Sequence, residues 1–189
     1  MDNFIIDTST NITKKIDSKI LSLYNEHVKT LSMSIPEYDV SKLPNTNMSK
    51  LISDMKRTMT EYNGLGLSAN QCGILQRVFV MGINDFYIAC INPKVITVSE
   101  NMVKDKEGCL TFPGLYLTID RPEWIDVEFY DENGKLVQTR FEGVTARCFM
   151  HELDHMNGKK FTEYFNVNSV SLKMARKKQQ KLLKKHNRK

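Results

Sequence analysis

The stretch most able to carry out chemistry is His151-Glu152-Leu153-Asp154-His155, which has the pattern H-E-x-x-H. On a helix, residues four apart lie above one another on the same face, so two imidazoles can ligate one metal ion. Glu152 can then act on a water at that ion as a general base. The alternative is a solvated helical turn with two incidental histidines, and the five-residue pattern alone does not decide between them.

A catalytic site of this kind usually has a third protein ligand. In the extended pattern H-E-x-x-H-x-x-G-x-x-H, Gly158 is in place, but Phe161 stands where the third histidine is needed. A glutamate further along the chain is another common solution, but Glu163 is the only acidic residue after Asp154 and lies too close. Both metalloprotease completions therefore fail, and a cysteine thiolate, a good ligand for zinc or ferrous iron, remains.

The four cysteines differ in their fitness for this role. Cys109 lies in a predicted loop and can supply a thiolate, whereas Cys148 lies three residues before His151 and is more simply a small residue lining the pocket. Cys72 and Cys90 lie in or beside predicted strands, and we expect them in the core. Without an export signal, all four are expected to be reduced.

Apolar side chains at helical spacing predict two helices in the first third of the chain, over residues 12–31 and 48–62. Asn47 or Ser49 can cap the second of these helices, and Gly64 can end it. Their methionines and isoleucines are expected to face the core.

The middle of the chain is rich in β-branched and aromatic residues, which predicts short strands over 77–83, 86–91, 94–99, 115–119, 125–130 and 136–141. Asn133-Gly134 suits the positive φ angles of a hairpin between the last two strands. Gly143 precedes the H-E-x-x-H helix, predicted over 144–157, and a final helix is predicted over 168–185. Helices followed by antiparallel strands and further helices predict an α+β fold.

Composition indicates a globular protein of one main domain. The 189 residues are 41% hydrophobic and 26% charged, and no window has the apolar length that spans a bilayer. The first twenty residues lack the apolar core of an export signal. We predict a catalytic domain over residues 1–170, with residues 1–34 as an N-terminal extension, and a separate basic tail over 171–189.

The positive charge is concentrated in that tail. It holds nine of the 27 basic residues and none of the 22 acidic ones: Lys173, Arg176, Lys177, Lys178, Lys181, Lys184, Lys185, Arg188 and Lys189. The first 170 residues are therefore slightly acidic, with 18 basic side chains against 22 acidic ones. A block of like charges is typical of a segment that binds a polyanion, and the alternative is a solubilising terminus.

Three motifs in order resemble those of the peptide deformylase family, which are G-φ-G-φ-A-A-x-Q (φ apolar), E-G-C-L-S and Q-H-E-x-D-H. They correspond here to Gly64–Gln71, Glu107–Thr111 and Met150–His155, and the resemblance covers residues 35–166. Three ordered motifs are far more specific than H-E-x-x-H alone. The resemblance implies antiparallel sheets packed around a central H-E-x-x-H helix, with the basic C-terminal helix appended.

This sequence departs from the family motifs at three positions. Ser68 replaces the first alanine, Thr111 replaces a serine and keeps its hydroxyl, and Met150 replaces the glutamine before the first histidine. The third change removes a polar group beside the site, so hydrogen bonds that the family makes there are in question.

The resemblance implies a single divalent metal ion bound by Cys109, His151 and His155. Ferrous iron is the usual ion in the family, and Zn²⁺, Ni²⁺ or Co²⁺ can substitute for it. The implied reaction removes the formyl group from the N-terminal formylmethionine of nascent polypeptides and releases formate, a step in the N-terminal processing of new proteins. This places the protein in the cytoplasm of a bacterial, or phage-infected bacterial, cell, with no membrane partner.

The resemblance also assigns catalytic roles. Glu152 accepts a proton from the attacking water and later gives one to the leaving amine. The side-chain amide of Gln71 and the backbone N–H of Leu110 stabilise the oxyanion. Glu107 and Arg121 match an ion pair that braces the site, although a surface pair contributing about 0–1 kcal/mol is the plainer interpretation.

Substrate-binding positions follow from the same motifs. The apolar pocket for methionine is expected at Leu65, Val144 and Cys148 and at the ring of His151, although Val144 by itself could equally be core. The glycines would let the peptide backbone run alongside the chain like an added strand: Gly64, Gly66 and Gly108. The basic tail could dock on ribosomal RNA, as the C-terminal helix of some deformylases does.

Two other functions remain open at this stage. A zinc metallopeptidase of another type would cleave internal peptide bonds and would not depend on Cys109. A non-catalytic ribosome- or RNA-binding protein with the same fold would be indifferent to the loss of Glu152. Asp154 either orients the ligand-bearing loop or is simply solvated.

Overall fold

The computed structural model describes residues 19–23, 29–83 and 86–186. Its helices are α1 (Thr46–Glu61), α2 (Gly143–Met156) and α3 (Val170–His186). Its strands are β1 (Gly66–Ser68), β2 (Val78–Ile83), β3 (Phe86–Val98), β4 (Met102–Gly108), β5 (Tyr116–Pro122), β6 (Trp124–Tyr130) and β7 (Leu136–Glu142). Short 3₁₀ turns lie at Lys29–Ser32, Val40–Lys42, Ala69–Cys72 and Phe161–Tyr164. No helix in these described ranges is long and apolar enough to cross a membrane.

The strands form two antiparallel sheets. Five of them make a sheet with the order β1-β2-β3-β6-β7, and β4 and β5 make a separate two-stranded sheet. In β6 the alternation predicted from sequence is seen, because Ile125, Val127 and Phe129 are buried while the residues between them are half-buried. The mixed helix-and-antiparallel-sheet architecture confirms the predicted α+β class.

Two strands that were predicted separately from the sequence form one continuous strand of the large sheet. The predicted strands 86–91 and 94–99 are parts of β3, whose register with β6 shifts between Ile91 and Lys94. Asn92 there has a φ of 50°. Its side-chain amide accepts from the Tyr38 N–H at 2.7 Å and donates to the Tyr38 carbonyl at 2.8 Å. These bonds offset the local break in the ladder, so the strand continues through a bulge.

The two-stranded sheet contains a strand that sequence periodicity did not predict. In β4 only Glu107 is buried, and the other side chains from Met102 to Gly108 are exposed. An apolar stripe is the usual signal of a strand, and β4 has none because it presents a charged carboxylate inward. Its partner β5 is the predicted strand 115–119, extended to Pro122.

Helix α2 lies between the sheets, with one face packed in the core and the other bearing the histidines. Ala146, Phe149 and Met156 pack with residues of β2, β3 and β6 in one apolar cluster. The Phe149 ring meets that of Phe79 edge to face, with centroids 5.1 Å apart. The predicted helix 144–157 thus agrees with the observed bounds to within one residue. The packed face fixes the direction of the opposite, histidine-bearing face.

The N-terminal part differs from its predictions. Helix α1 begins at Thr46, and its cap is Asn45, whose side chain accepts from the Met48 N–H at 2.9 Å, rather than Asn47 or Ser49. The helix predicted over 12–31 is wrong where it can be checked, because residues 19–23 are not helical and residues 29–32 form a single 3₁₀ turn. The rest of that predicted helix lies outside the described residues.

Helix α3 packs on the small sheet. Leu172 and the half-buried Ala175 join an apolar cluster of the β5 region and the 3₁₀ turn that includes Phe161. Gln179, also buried, donates from Nε2 to the Pro113 carbonyl at 3.0 Å. These positions are spaced by three or four residues and form one face of the helix. The lysines on the rest of the helix are exposed: Lys173, Lys177, Lys178, Lys181 and Lys184.

Candidate metal centre and active site

Three side chains that can ligate a metal converge beside α2. Cys109 follows β4, and His151 and His155 lie one turn apart on α2. The ligand atoms of all three lie within 4.8 Å of one another. The Cys109 Sγ and the His155 Nε2 are 3.3 Å apart. The tertiary structure therefore brings together the two predicted histidines and the cysteine from 42 residues earlier in the sequence.

The donor atoms fit a bound cation. Among the described residues, the buried His151 Nε2 has no hydrogen-bond partner, while its Nδ1 lies 3.0 Å from Glu107 Oε2. A carboxylate on the far nitrogen fixes the ring of a metal-binding histidine and its tautomer. Burial lowers the pKa of His155 well below its usual value, which keeps this ring in the neutral form that ligates metals. One thiolate and two imidazoles suit Zn²⁺ or Fe²⁺.

Glu107 is the buried carboxylate at which several cations meet. Arg121 binds it in a bidentate manner, with Nε at 2.8 Å from Oε1 and Nη2 at 3.0 Å from Oε2. Arg147 adds a contact of 2.9 Å to Oε1, and His151 approaches Oε2. Burial opposes ionisation, but the hydrogen bonds of His151 and Arg121 outweigh it and lower the pKa of Glu107 to about 2. The carboxylate is thus held charged behind the metal site.

The Glu107–Arg121 pair is not the exposed ion pair that the plainer interpretation of the sequence offered. Arg121 is only 1% exposed. Its Nη1 also reaches Asp154 Oδ2 at 2.8 Å and the Tyr164 hydroxyl oxygen at 2.7 Å. Asp154 is therefore tied to the β4–β5 hairpin rather than freely solvated. Sequence reasoning missed Tyr164, which lies outside all three motifs.

Glu152 faces the site from inside the protein. It is 3% exposed, and its Oε2 has no hydrogen-bond partner among the described residues. Burial raises the pKa of Glu152 to about 7. Gly66 leaves the room for it, because a Cβ at that position would lie 2.5 Å from Glu152 Oε1 and 2.9 Å from Cys148 Sγ. The glycine of the first motif is therefore needed for close approach to the carboxylate.

The amide of Gln71 has a fixed orientation. Its Oε1 accepts from the Ser68 N–H at 2.9 Å and from the Ser68 hydroxyl at 3.0 Å. Its Nε2 therefore points the other way, 3.3 Å from Cys109 Sγ and 3.0 Å from Thr111 Oγ1. Two of the three departures from the family motifs place hydroxyl groups here: the Ser68 hydroxyl, where the family has an alanine, donates to the amide, and the Thr111 hydroxyl accepts from it.

A cleft of about 640 Å³ opens in front of these groups. Its walls include every position predicted to bind substrate: Gly64, Leu65, Gly66, Gly108, Val144 and Cys148. Leu65 and Val144 are 47% and 56% exposed, so they present apolar surface to the cleft rather than to the core. Leu110 also lines the cleft, directly after Cys109 in the chain. Sequence reasoning did not predict several other wall residues, among them Tyr62, Tyr116 and Arg147.

Met150 does not face the cleft. It is half-buried against the apolar cluster of α2 and the large sheet. The side chain that replaces the family's glutamine therefore contributes packing where a polar group would make hydrogen bonds. The glutamate and the histidines of the motif keep their arrangement beside it.

The fold places an H-E-x-x-H helix beside a cysteine from a neighbouring hairpin, an arrangement typical of metal-dependent hydrolases. Comparison with known proteins identifies the family within this class of hydrolases. The sequence model of the polypeptide deformylase family matches residues 18–170. Peptide deformylase 1 of Pseudomonas syringae pv. tomato is 35% identical over 167 residues, which cover 86% of this chain and 96% of that protein.

Other relatives agree. The peptide deformylase of Thermotoga maritima is 41% identical over 112 residues, which cover 59% of this chain and 68% of that protein. The crystal structure of a peptide deformylase from Legionella pneumophila superposes with a TM-score of 0.79 at 31% identity, over 90% of this chain and 99% of that one. The chain belongs to the polypeptide deformylase family. It is a hydrolase that removes the N-formyl group from nascent peptides, as the three motifs predicted.

Proposed function

We propose that Cys109, His151 and His155 hold the divalent metal ion of this deformylase and that Glu152, Gln71 and Leu110 carry out its chemistry. The observation that carries the proposal is the convergence of the three ligand atoms within 4.8 Å. When bound, the metal ion supplies the Lewis acidity that makes water a nucleophile at neutral pH. Side chains and backbone groups of this chain transfer the proton, stabilise the oxyanion and bind the substrate.

Glu152 is the general base and then the general acid. Glu152 lines the cleft together with His151 and Cys109, and its unpartnered Oε2 can accept the proton that the attacking water loses. The water oxygen forms a bond to the formyl carbon. The proton then passes from Glu152 to the amide nitrogen, the C–N bond breaks, and formate and a free N-terminal amine leave. Water supplies all the atoms that the products gain.

Gln71 and Leu110 stabilise the negative charge that develops on the formyl oxygen. The hydrogen bonds from Ser68 hold the amide of Gln71 so that its NH₂ group points towards Cys109. The Leu110 N–H follows the cysteine directly in the chain. Two donors held in place before the reaction need no reorganisation when the charge appears, which is the advantage of an oxyanion hole.

The cleft selects the formylmethionine end of the substrate. Leu65, Val144 and Cys148, with the edge of the His151 ring, form a largely apolar wall that suits an unbranched thioether side chain. Gly64 and Gly108 keep the backbone on both sides of the cleft open to an extended peptide. Such a peptide can add main-chain hydrogen bonds to these segments as an extra strand.

We further propose that the metal in the cell is Fe²⁺, with Zn²⁺, Ni²⁺ and Co²⁺ as substitutes. A single thiolate with two neutral imidazoles binds each of these ions, so the ligand set permits the substitution. Metal analysis of protein purified without oxygen identifies the native ion. Enzyme loaded with Fe²⁺ should lose activity on exposure to air, whereas enzyme loaded with Zn²⁺ or Ni²⁺ should not.

Formate release from formyl-Met-Ala-Ser tests the catalytic assignment, in anaerobic buffer with metal-loaded protein. Glu152→Gln keeps the shape of the side chain but removes its basicity, and we expect at least a 100-fold loss of kcat, in line with the usual contribution of general acid–base catalysis. Glu163→Gln is the matched control, because Glu163 is exposed in a 3₁₀ turn outside the cleft.

The same assay separates the other functions. A metallopeptidase of another type would cleave internal bonds and would keep its activity in a Cys109→Ser variant. A binding protein without catalysis would release no formate, and Glu152→Gln would have no measurable effect. Wild-type activity in Glu152→Gln would overturn the proposed role of this residue.

We also propose that residues 1–170, including an N-terminal extension over 1–34, form the catalytic domain and that residues 171–189 form a basic attachment that binds ribosomal RNA. Supporting this, α3 docks through Leu172 and Gln179 and exposes its lysines: Lys173, Lys177, Lys178, Lys181 and Lys184. A regular row of cations on a helix can contact phosphates and release their counterions. Such docking would keep the enzyme where formylated chains emerge, in the bacterial cytoplasm.

Side-chain neutralisation tests this better than deletion, because deletion would also remove Leu172 and Gln179 from the core. A variant with Lys177, Lys178 and Lys181 changed to Gln should co-sediment less with ribosomes, with the difference greatest at low salt. Its activity on a short formyl peptide should equal that of the wild type. The control changes three exposed lysines elsewhere to Gln: Lys42, Lys94 and Lys104. Equal co-sedimentation of the two triple variants would refute the docking.

A further inference from the structure

The candidate metal site is assembled from two parts that share no β-ladder. Cys109 follows β4 in the two-stranded sheet, whereas His151 and His155 lie on α2. Within the described ranges, the β4–β5 hairpin is not hydrogen-bonded to the large sheet as a strand. A backbone hydrogen bond from the Gly143 N–H to the Glu123 carbonyl ties the start of α2 to the chain just after the hairpin. Side-chain contacts further along the helix help to fix the distance between Cys109 and the histidines.

Arg147 makes the most extensive of these contacts. From α2 its Nη1 donates to Glu107 Oε1 at 2.9 Å and to the Ile119 carbonyl at 2.9 Å, with a longer contact of 3.4 Å to the Asp105 carbonyl. Its Nη2 donates to the Val103 carbonyl at 2.6 Å. The side chain is buried, with 8% of the residue exposed. One guanidinium thus contacts both strands of the hairpin.

Because of its position on α2, Arg147 attaches the hairpin to the helix close to His151. It lies one turn before His151, at a spacing of four residues on the same face. The other strong attachment, between Asp154 and Arg121, lies near the opposite end of the helix. Between these two attachments, His151 Nδ1 also contacts Glu107 Oε2 at 3.0 Å. The contacts of Arg147 and Asp154 lie on either side of that point, so together they resist rotation of the hairpin about it.

We propose that Arg147 is a positioning residue that holds the β4–β5 hairpin, and with it Cys109, in register with the histidines of α2. The inference rests on the proposed ligand set of Cys109, His151 and His155. The role requires a planar group with several divergent donors, because the acceptors lie on two strands and on Glu107. A lysine ammonium in the same place is a compact point charge and cannot reach them all.

The test uses the full chain loaded with Co²⁺, whose absorption spectrum reports thiolate ligation without reference to activity. Arg147→Met removes all the donors, and Arg147→Lys keeps the charge. We expect both variants to release Co²⁺ to a chelator about 10- to 100-fold faster than the wild type, the usual effect of losing an outer hydrogen bond around a metal site. The thiolate-to-cobalt band should shift or weaken, and amides of β4 should exchange hydrogen faster.

Arg140→Met is the matched control. Arg140 also makes a bidentate pair with a carboxylate, that of Asp126, but on the exposed face of β7. Its Co²⁺ release and spectrum should match those of the wild type. If Arg147→Met does not fold, Arg147→Lys decides the matter.

Release rates and spectra like those of the wild type in the Arg147 variants would overturn the inference. An equal loss of thermal stability in the metal-free and metal-loaded forms, with an unchanged band, would also overturn it, because it would show a structural role only. The ligand set is tested separately. A wild type without a thiolate-to-cobalt band would refute the proposed Cys109 ligand, whereas a normal band in both wild type and variants would refute only the role of Arg147.

Discussion

The Glu152 carboxylate lies directly against Gly66, so close that a Cβ on this glycine would be 2.5 Å from Oε1. The contact joins the first motif, which forms β1, to the H-E-x-x-H helix. It explains a glycine at a position where the backbone has no need of positive φ. The general base of the proposed mechanism is therefore positioned in part by the absence of a side chain on the neighbouring strand.

Gly66→Ala should displace the Glu152 carboxylate while leaving the fold intact. A displacement of about 1 Å in a reacting group can cost about 100-fold in rate, and we expect a loss of 10- to 100-fold in kcat. Steady-state formate release measures it. Gly134→Ala is the control, because it strains a left-handed turn with a φ of 81° away from the cleft. It should lower stability by about 1 kcal/mol without lowering kcat. Equal kcat in Gly66→Ala and the wild type would contradict the steric argument.

Gln71→Met should remove the oxyanion donor at nearly constant side-chain length. Loss of one such donor costs about 100- to 1000-fold in kcat, with a smaller effect on KM, since the interaction strengthens as charge develops. Gln138→Met, on the exposed β7 strand, serves as the control. A rise in KM with unchanged kcat would instead show that Gln71 only binds the ground state.

Cys72 should resist alkylation in the native protein. Burial raises the pKa of this thiol from its ordinary 9.0 to about 12. At pH 8 the reactive thiolate is therefore about 1000-fold scarcer than in an ordinary cysteine. Mass spectrometry after iodoacetamide treatment should find Cys72 unmodified in folded protein and fully modified in denaturant. Because the folded pKa is the higher one, the free energy of unfolding should fall as the pH rises from about 9, where the unfolded thiol ionises, towards 12. Fast labelling of the native protein at pH 8 would contradict its burial.

Leu172→Ala should destabilise the whole protein if α3 is docked as part of the fold. Truncation of a buried leucine costs about 2–5 kcal/mol, and we expect the lower end because Leu172 is 9% exposed. Leu183→Ala on the same helix is the matched control, since that side chain is 40% exposed. It should cost less than about 0.5 kcal/mol. Chemical denaturation measures both, and equal effects of the two changes would show that α3 does not pack as described.

Much of the fold could be predicted from local patterns. The alternation in β6 and the bounds of α2 follow from periods of two and 3.6 residues. Turn residues predicted the hairpin between β6 and β7, although of Asn133 and Gly134 only the glycine has a positive φ. The N-terminal region could not be predicted in the same way. The apolar residues between 12 and 31 fit a helical period loosely, yet the Leu21 N–H donates to the Thr58 hydroxyl and the Lys19 N–H to Asp54 on α1. Tertiary hydrogen bonds with buried polar groups override a weak local preference there.

The candidate site, like the fold, has features that the sequence predicts and others that only the tertiary structure shows. The sequence by itself determined the residue types and spacing of the three motifs, and with them the family, the H-E-x-x-H helix and Cys109 as the proposed third ligand. Only the tertiary structure decided what surrounds them. Strand β4 has no apolar stripe, and the acceptors of Arg147 are backbone carbonyls, which leave no mark on side-chain patterns. Arg121 and Asp154 look like surface charges in sequence because burial of a charge depends on partners distant in the chain. Local spacing specifies which groups can react, whereas long-range packing sets how they are held.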